Sequence, residues 1–417
     1  MLTAVSIFAF IDRQILSLLV QPIRRDLNIS ETQMSLIIGF SFAIFFTLFA
    51  IPIGRLADRY PRRFILASGL AGWSLSTAAC GLARSFSQMM LFRMGVGMGE
   101  ASLSPCAYSL ISDSFPTARR STALSVFSMG IYLGSGIALL AGGLVVQYAS
   151  ARQSTTLPIL GAVHPWQLVL IVLGLAGLSV IPLLLTLDEP LRRTQSKQPG
   201  LADLAAYMRL HRTTLTRHYL GFACITLAAT AGAAWIPEMF RRNFHWSIPK
   251  FGVIFGIEVA IFGCLGAFTA GRIADRLLRR GALDANLRVA VWIAALAMPV
   301  NTLLFLAPSG EWAMVWLGFG AALTAAPYGV AAGALQQILP GHLRAQMTGT
   351  YILVVNLIGS ATGPTFTALL TQHVFRRDTA VNYSLLIVHL AAFTSALILL
   401  QSAKRPFLAS LERPHRP

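Results

Sequence analysis

The segment GRLADRYPRR at residues 54–63 recurs, 217 residues later, as GRIADRLLRR at residues 271–280. Seven of the ten positions are identical, and they include one aspartate and four arginines in each copy. Chance explains such a match poorly, whereas an internal duplication explains it directly. The repeat therefore predicts a chain made of two copies of one design, each carrying a charged loop at the same place.

The sequence on either side of these loops is that of a membrane protein. Hydrophobic residues make up 55% of the chain, charged residues only 12%, and the mean hydropathy is +0.65. Apolar runs of about 20 residues, long enough to cross the hydrocarbon core as helices, recur throughout. We predict twelve spanning helices, near residues 2–24, 31–54, 64–83, 87–111, 122–148, 166–187, 217–240, 250–271, 286–307, 312–336, 348–371 and 381–402.

The basic residues indicate how the chain is oriented. Of the 33 lysines and arginines, 22 fall in the loops that share a side with the two repeated segments, and only nine fall on the other side. Because positive loops stay in the cytoplasm, this bias predicts that both termini are cytoplasmic. It also explains the net charge of +17 without nucleic acid as a partner, although contact with anionic lipids is a reasonable second effect.

The duplication and the spans together define the expected domains. They are an N-terminal six-helix bundle (1–187), a cytoplasmic linker (188–216), a C-terminal six-helix bundle (217–402) and a cytoplasmic tail (403–417). In the linker, Leu201, Leu204, Tyr207 and Met208 share one helical face, so either a short surface helix or a solvated connector fits. The first helix has no residues before it, and we expect the natural chain to begin upstream of Met1.

The duplicated loops and the two six-helix halves resemble the major facilitator superfamily over essentially the whole chain. Within it, FIDRQIL in the first helix, FRMGVGMGEAS (92–102) and AAWIPEMF (233–240) resemble the spinster branch. Eukaryotic members of that branch are associated with export of sphingosine-1-phosphate and lysophospholipids. The resemblance implies two pseudo-symmetric bundles that work by alternating access, and it places helices one, four, seven and ten around a central cavity.

The repeated loops are candidates for a latch at the cytoplasmic side. A carboxylate at a helix end can accept hydrogen bonds from the exposed N–H groups of a neighbouring helix, and its arginine neighbours can form ion pairs. The resemblance implies that Asp58 docks near the start of helix eleven, with a lesser role for Asp275. We assign this inner-gate latch to Asp58, Arg59, Arg62, Asp275 and Arg276; the alternative is that these charges only fix topology.

Charged residues inside the predicted spans are the main functional candidates, because an ionised group in the bilayer centre costs about 2.5–3.5 kcal/mol. Asp12 and Arg13 lie halfway along the first helix, and Arg93 and Glu100 lie two turns apart on the fourth. Adjacent residues of a helix point about 100° apart, so Asp12 and Arg13 must find different partners. We expect Asp12 and Glu100 to carry the coupling proton; a static ion-pair network is the alternative.

The remaining candidates have weaker support. Arg13, Arg93 and Glu258 are expected to form ion pairs or to hold a substrate headgroup, whereas Glu238 is expected to be solvated at the outer boundary. The cavity lining is predicted to include four residues, although packing or a helix kink would also explain them. They are Trp235, Tyr328, Tyr351 and Asn356.

These features predict a proton-coupled secondary transporter that moves an amphipathic, lipid-like anion. A symporter of small organic anions such as sugar acids, or a multidrug antiporter, is the alternative. No convergent nucleophile, base or metal ligands are present in the sequence pattern, so we predict that the chain is not an enzyme and needs no cofactor or metal. We expect a monomer in the bacterial inner membrane, with membrane lipids and a small amphipathic molecule as its partners.

Overall fold

The computed structural model describes residues 1–114, 127, 130–131, 133–140, 155–157, 161–190, 201–340 and 343–412. Within this part of the chain, helix occurs at every one of the twelve predicted spans, which confirms the α-helical fold class. A short antiparallel ribbon pairs Thr155–Leu157 (β1) with Gly161–Val163 (β2) in a loop outside the helices.

The helices of the first sequence repeat are short and often broken. They are α1 (Leu2–Leu18), α2 (Val20–Leu27), α3 (Glu31–Ser35), α4 (Ser41–Arg59), α5 (Arg62–Cys80), α6 (Phe86–Glu100), α7 (Leu103–Ser114), α8 (Pro165–Leu178) and α9 (Ile181–Leu185). The helical residues 130–131 and 133–140 belong to the fifth span. A π-helical turn at Leu36–Phe40 joins α3 to α4, and the chain bends by 63° between α1 and α2.

The linker and the second repeat contain the remaining α-helices of the described residues, among them the longest. They are α10 (Leu201–Leu210), α11 (Arg212–Asn243), α12 (Ile248–Arg279), α13 (Ala285–Phe305), α14 (Gly310–Ala325), α15 (Pro327–Ile338), α16 (Arg344–Val354), α17 (Ala361–Leu369) and α18 (Val381–Glu412). Polar residues define several starts. Ser30 and Gln33 form a reciprocal capping box at α3, and Ser309 accepts from the Trp312 N–H at α14.

Eight helices of the described residues, or nine with the bent pair α1–α2, are long and apolar enough to cross a membrane. The predicted spans at 64–83 and 87–111 coincide with α5 and with α6 followed by α7. Serine and threonine lower the hydropathy of α5, and a break at residues 101–102 divides the other span, so neither meets that criterion.

The chain divides into two compact units that do not follow the sequence repeat. The first unit comprises Met1–Arg193, Ala233–Ile257 and Ala368–Val381, and the second comprises Thr194–Gly232, Glu258–Thr367 and Asn382–Pro417. The predicted domain bounds at 187 and 217 remain a prediction. Because the first unit includes the end of α11 and the start of α12, residues from both repeats contact one another inside it.

The linker contains the expected short helix. In α10, Leu204, Tyr207 and Met208 pack against the hydrophobic core of the second unit. The Tyr207 hydroxyl donates to the Ile338 carbonyl, and His211 lies 3.0 Å from the Ser410 hydroxyl. A solvated connector is therefore the wrong interpretation for residues 201–210, since these contacts hold the helix to its own protein.

Candidate functional site

The four charged residues of the first and fourth spans meet inside the first unit. Asp12, Arg93 and Glu100 are at most 2% exposed, and Arg13 is the most accessible member. The helix that carries Arg93 and Glu100 packs tightly on α4 beside them: a Cβ at Gly97 would lie 2.5 Å from the Phe42 carbonyl oxygen. Only glycine there allows α6 to approach α4 so closely. We call Asp12, Arg13, Arg93 and Glu100 the buried quartet.

The ion pairs of the buried quartet cross between helices. Arg13 Nε donates to Glu100 Oε2 at 2.7 Å, and Arg13 Nη2 lies 2.6 Å from the same oxygen. Asp12 pairs instead with Arg93, whose Nη1 lies 3.6 Å from Oδ1. The prediction that Asp12 and Arg13 have different partners is confirmed, and both partners come from α6.

The two acids have different surroundings. Asp12 Oδ2 accepts a 2.6 Å hydrogen bond from the Thr77 hydroxyl on α5, whereas its Oδ1 has the long contact with Arg93 and no hydrogen bond among the described residues. Glu100 is held by Arg13 on one oxygen, and its Oε1 is also buried without a described hydrogen-bond partner. Each acid therefore has one satisfied oxygen and one that is open to a proton or to a rearranged arginine.

An aromatic cage surrounds the Arg13 guanidinium. Its central carbon lies 4.9, 4.6 and 4.9 Å from the ring centroids of Phe10, Phe42 and Phe46, respectively. Cation–π contacts of this kind stabilise a partly desolvated guanidinium. Sequence reasoning missed these rings and Thr77, because phenylalanine and threonine are ordinary residues in a spanning helix and gave no separate signal.

A second group of buried charges lies at the bend after α1. Glu31 Oε1 contacts Arg242 Nη1 at 2.6 Å and Arg24 Nη1 at 3.0 Å. Arg242 Nε also donates to Glu238 Oε2 at 2.9 Å. We call Arg24, Glu31, Glu238 and Arg242 the elbow cluster. The expectation that Glu238 is solvated is wrong: its side chain is 1% exposed, and Gln21 of α2 and the two arginines that follow it on α11 contact its carboxylate.

Further contacts hold the elbow cluster in place. Gln21 Nε2 donates to Glu238 Oε2 at 2.9 Å, and Arg242 Nη1 donates to the Asp378 carbonyl. Trp235, which we expected to line a cavity, is 0% exposed and lies beneath the Arg242 guanidinium at 5.5 Å. Its place in a substrate cavity remains a prediction.

The other predicted lining residues lie in the second unit. Tyr328 at the start of α15 is exposed, and Tyr351 on α16 is half-buried against the rings of His218, Tyr219 and Phe222. Asn356 accepts a hydrogen bond from Ser360 in the following π-helical turn. Their place in a substrate cavity remains a prediction.

The charged loop after α4 forms contacts within the first unit. Arg62 is buried and pairs with Asp113 at 2.5 Å and with Glu189 at 2.8 Å. The Asp58 side chain lies outside the described residues, and Arg59, Asp275 and Arg276 are exposed. The latch as a whole therefore remains a prediction, while Arg62 has a definite role in joining α5, α7 and the segment after α9.

Glu189 lies beyond the membrane-spanning segments, so its ionisation can be related to stability. Burial raises the pKa of its carboxyl group, but hydrogen bonds from the Arg62 side chain and the Arg63 backbone outweigh burial and lower the pKa below 4.5. A depressed folded-state pKa contributes stability that is present above the unfolded-state value and is lost as pH falls through the folded-state value.

We expect wild-type protein to lose more thermal stability than Glu189→Gln as the pH is lowered below 4.5, the ordinary glutamate value. Thermal unfolding in detergent over a pH series measures this difference. Glu412→Gln, at the exposed end of α18, is the matched control and should follow wild type. Equal pH dependence in all three proteins would contradict the assignment.

Comparison with known proteins identifies the family. The sequence model that describes the Major Facilitator Superfamily matches residues 2–364 of this chain. The chain belongs to the Major Facilitator Superfamily. It is therefore a multi-pass membrane transporter and not an enzyme. Among the described residues, no group of three histidine, cysteine, aspartate or glutamate side chains is placed to hold a metal ion.

Three relatives show which branches of the superfamily the chain resembles. The crystal structure of a bacterial homolog of the human lysosomal transporter spinster, inward-facing and unoccupied, aligns with a TM-score of 0.82 and 25% identity over 99% of this chain and 97% of that one. An MFS-type efflux pump of Mycolicibacterium smegmatis is 27% identical over 89% of this chain and 83% of the pump. A probable L-galactonate transporter of Escherichia coli is 26% identical, covering 66% of this chain and 60% of the transporter.

These similarities confirm the resemblance to the spinster branch that the sequence motifs predicted. They also include a sugar-acid transporter and an efflux pump, so membership of the superfamily does not by itself decide the substrate. The chain spans less than two thirds of the galactonate transporter's length.

Proposed function

We propose that the protein is a proton-coupled secondary transporter that moves an amphipathic, lipid-like anion by alternating access. The observation that carries this proposal is the buried quartet, which combines two incompletely satisfied acids with two arginines inside an apolar bundle. Such intramembrane groups are costly, and in transporters they mark proton relays and substrate paths.

We assign the binding of the coupling proton to Asp12 and Glu100. Protonation of Glu100 would remove the charge that holds Arg13, and protonation of Asp12 would weaken the already long contact with Arg93. Each proton thereby changes which ion pairs form. If those pairs differ between the inward-open and outward-open states, proton binding shifts the equilibrium toward the state that binds the proton more tightly.

We assign to Arg13 the binding of the substrate's anionic headgroup. It is the accessible member of the quartet, with 29% of its side chain exposed, and three phenylalanine rings lie around it. A guanidinium matches phosphate or carboxylate, and the rings suit the first carbons of an alkyl tail. This combination favours a molecule with a charged head and an apolar tail over a fully polar solute.

The proposed setting is the bacterial inner membrane, with both termini cytoplasmic and a single chain as the working unit. The excess of arginine and lysine in the loops next to the repeated segments supports this orientation. Surrounding lipids and one amphipathic solute are the proposed partners, with protons as the coupling ion and no other cofactor.

Proton flux in proteoliposomes that contain a pH-sensitive dye tests the proposal. We expect a lysophospholipid to trigger flux in wild type and in the control Glu412→Gln, and we expect Asp12→Asn and Glu100→Gln each to abolish it. Unchanged flux in both quartet variants would overturn the assignment of the proton to these acids.

A small organic anion is the second candidate substrate, because the galactonate transporter of Escherichia coli is a relative. The same liposomes challenged with a sugar acid distinguish the two candidates, since flux with the sugar acid alone would replace the lipid by a polar anion. The chain is also similar to an efflux pump, so the liposome experiment includes a third substrate. This substrate is a lipophilic cation, which a drug antiporter would move.

A further inference from the structure

Glu258 is an intramembrane acid that the buried quartet does not include. It lies on α12 in the second unit. The side chain as a whole is half-buried, and its Oε2 is shielded from the surface and has no hydrogen-bond partner among the described residues. We expected it to take part in an ion pair or to hold a headgroup. No described arginine, lysine or histidine forms an ion pair with it, and its role in binding a headgroup remains a prediction.

The surroundings of Glu258 are apolar. Its Oε2 faces α14 at Gly318, where a Cβ would lie 3.3 Å from the oxygen and 3.2 Å from the ring carbons of Phe262. The Phe262 ring in turn packs against Phe319, with centroids 5.8 Å apart. Gly318 thus leaves just enough space for the carboxyl group between two helices, and the adjacent wall is aromatic rather than polar.

Neither α14 nor the rest of α12 places a charge close to Glu258 along the helix, and the described residues of the fifth span, which meet α12 at Gly256, are uncharged. On α14 the charged residue is Glu311, seven residues before Gly318 and about two turns away. On α12 the nearest charged residues along the sequence are Lys250, eight residues before, and Arg272, fourteen residues after. A carboxylate without a cation or a hydrogen-bond donor is strongly disfavoured in such a place, whereas the neutral acid is tolerated.

We propose that Glu258 is a second intramembrane proton-binding site, which carries its proton in this conformation and is separate from the buried quartet. Binding converts the carboxylate to a carboxylic acid and requires no co-reactant. The protonation stands on the geometry of Glu258 alone. Its use in coupling, where it would add a proton to those carried by Asp12 and Glu100, rests on the proposed function.

Labelling with the lipid-soluble reagent dicyclohexylcarbodiimide, which reacts with protonated carboxyl groups in apolar surroundings, tests the proposal on the full chain in liposomes. Mass spectrometry of peptides should find the adduct at Glu258. The yield should fall about tenfold per pH unit once the pH exceeds that at which the site is half protonated. Glu238, which is buried but paired with two arginines, is the internal control and should remain unlabelled.

Glu258→Gln provides a second measurement that does not depend on transport. Because the amide replaces a neutral acid of the same shape and breaks no ion pair, we expect unfolding at the wild-type temperature. The infrared carbonyl band of a protonated carboxylic acid should be lost. Absence of the adduct at Glu258 at every pH, or a marked loss of stability in Glu258→Gln, would overturn the proposal.

Because these experiments use no substrate, they separate this site from the proposed function. An adduct at Glu258 in protein that shows no lipid-driven flux would support the proton site while removing the lipid substrate. Lipid-driven flux in wild type without an adduct at Glu258 would support the lipid substrate and overturn the proton site at Glu258.

Discussion

Arg242→Met should lower the free energy of unfolding by about 3–5 kcal/mol, because it leaves buried carboxylates of the elbow cluster without their shared cation. Arg242 contacts Glu31 at 2.6 Å and Glu238 at 2.9 Å, and all three side chains are at most 4% exposed. Methionine fills a similar volume but offers no charge or hydrogen bond. Reversible unfolding in mixed micelles measures the change.

Arg241 is the matched control for this prediction. It also pairs with Glu238, at 3.0 Å, but its side chain is 39% exposed. Exposed ion pairs contribute about 0–1 kcal/mol, so Arg241→Met should have a small effect. The double variant Arg242→Met/Glu238→Gln should recover part of the loss, because it removes one of the two carboxylates that Arg242 no longer neutralises. Equal effects of the two arginine variants would show that burial of the cluster does not determine its energetic role.

Hydropathy and repetition were enough to predict the fold. Twelve apolar runs and two copies of one charged loop led to an α-helical transporter, and helices occur at every predicted span of the described residues. The four charges of the buried quartet were also identified from sequence, because an ionised residue stands out in an apolar segment.

The partners of those charges were not predictable from the sequence. Which side chains meet depends on how helices pack, and Thr77 on α5 looked like any other threonine of a spanning helix. Glu238 shows the opposite error. Its position near the end of a span suggested solvent, but Arg242 pairs with it, and nothing local to residue 238 indicates that the same arginine also binds Glu31.

Arg13→Gln should lower substrate-driven flux by about a hundredfold or more, because under the proposed function Arg13 both pairs with Glu100 and binds the anionic headgroup. Truncating one partner of a buried, hydrogen-bonded charge pair costs about 2–5 kcal/mol of binding free energy, and each 1.4 kcal/mol corresponds to a factor of ten in affinity. Arg13→Lys keeps the charge but loses the planar group that donates to Glu100 through two nitrogens and stacks on three rings. Intermediate flux is therefore expected for lysine in the same proteoliposome assay.

The double variant Arg13→Gln/Glu100→Gln separates a packing role for Arg13 from a role in transport. Both substitutions together leave no uncompensated charge at the pair, so the free energy of unfolding should return toward wild type. If Arg13 only neutralised Glu100, restored stability would bring restored substrate binding. Under the proposed function, restored stability does not restore substrate binding, because the guanidinium that receives the headgroup is absent. A titration of the double variant with lysophospholipid should therefore show no binding. Recovery of both stability and binding would show that the Arg13–Glu100 pair is only a structural contact. Asp12, which accepts a hydrogen bond from Thr77, would then be the remaining acid of the quartet that could carry the proton.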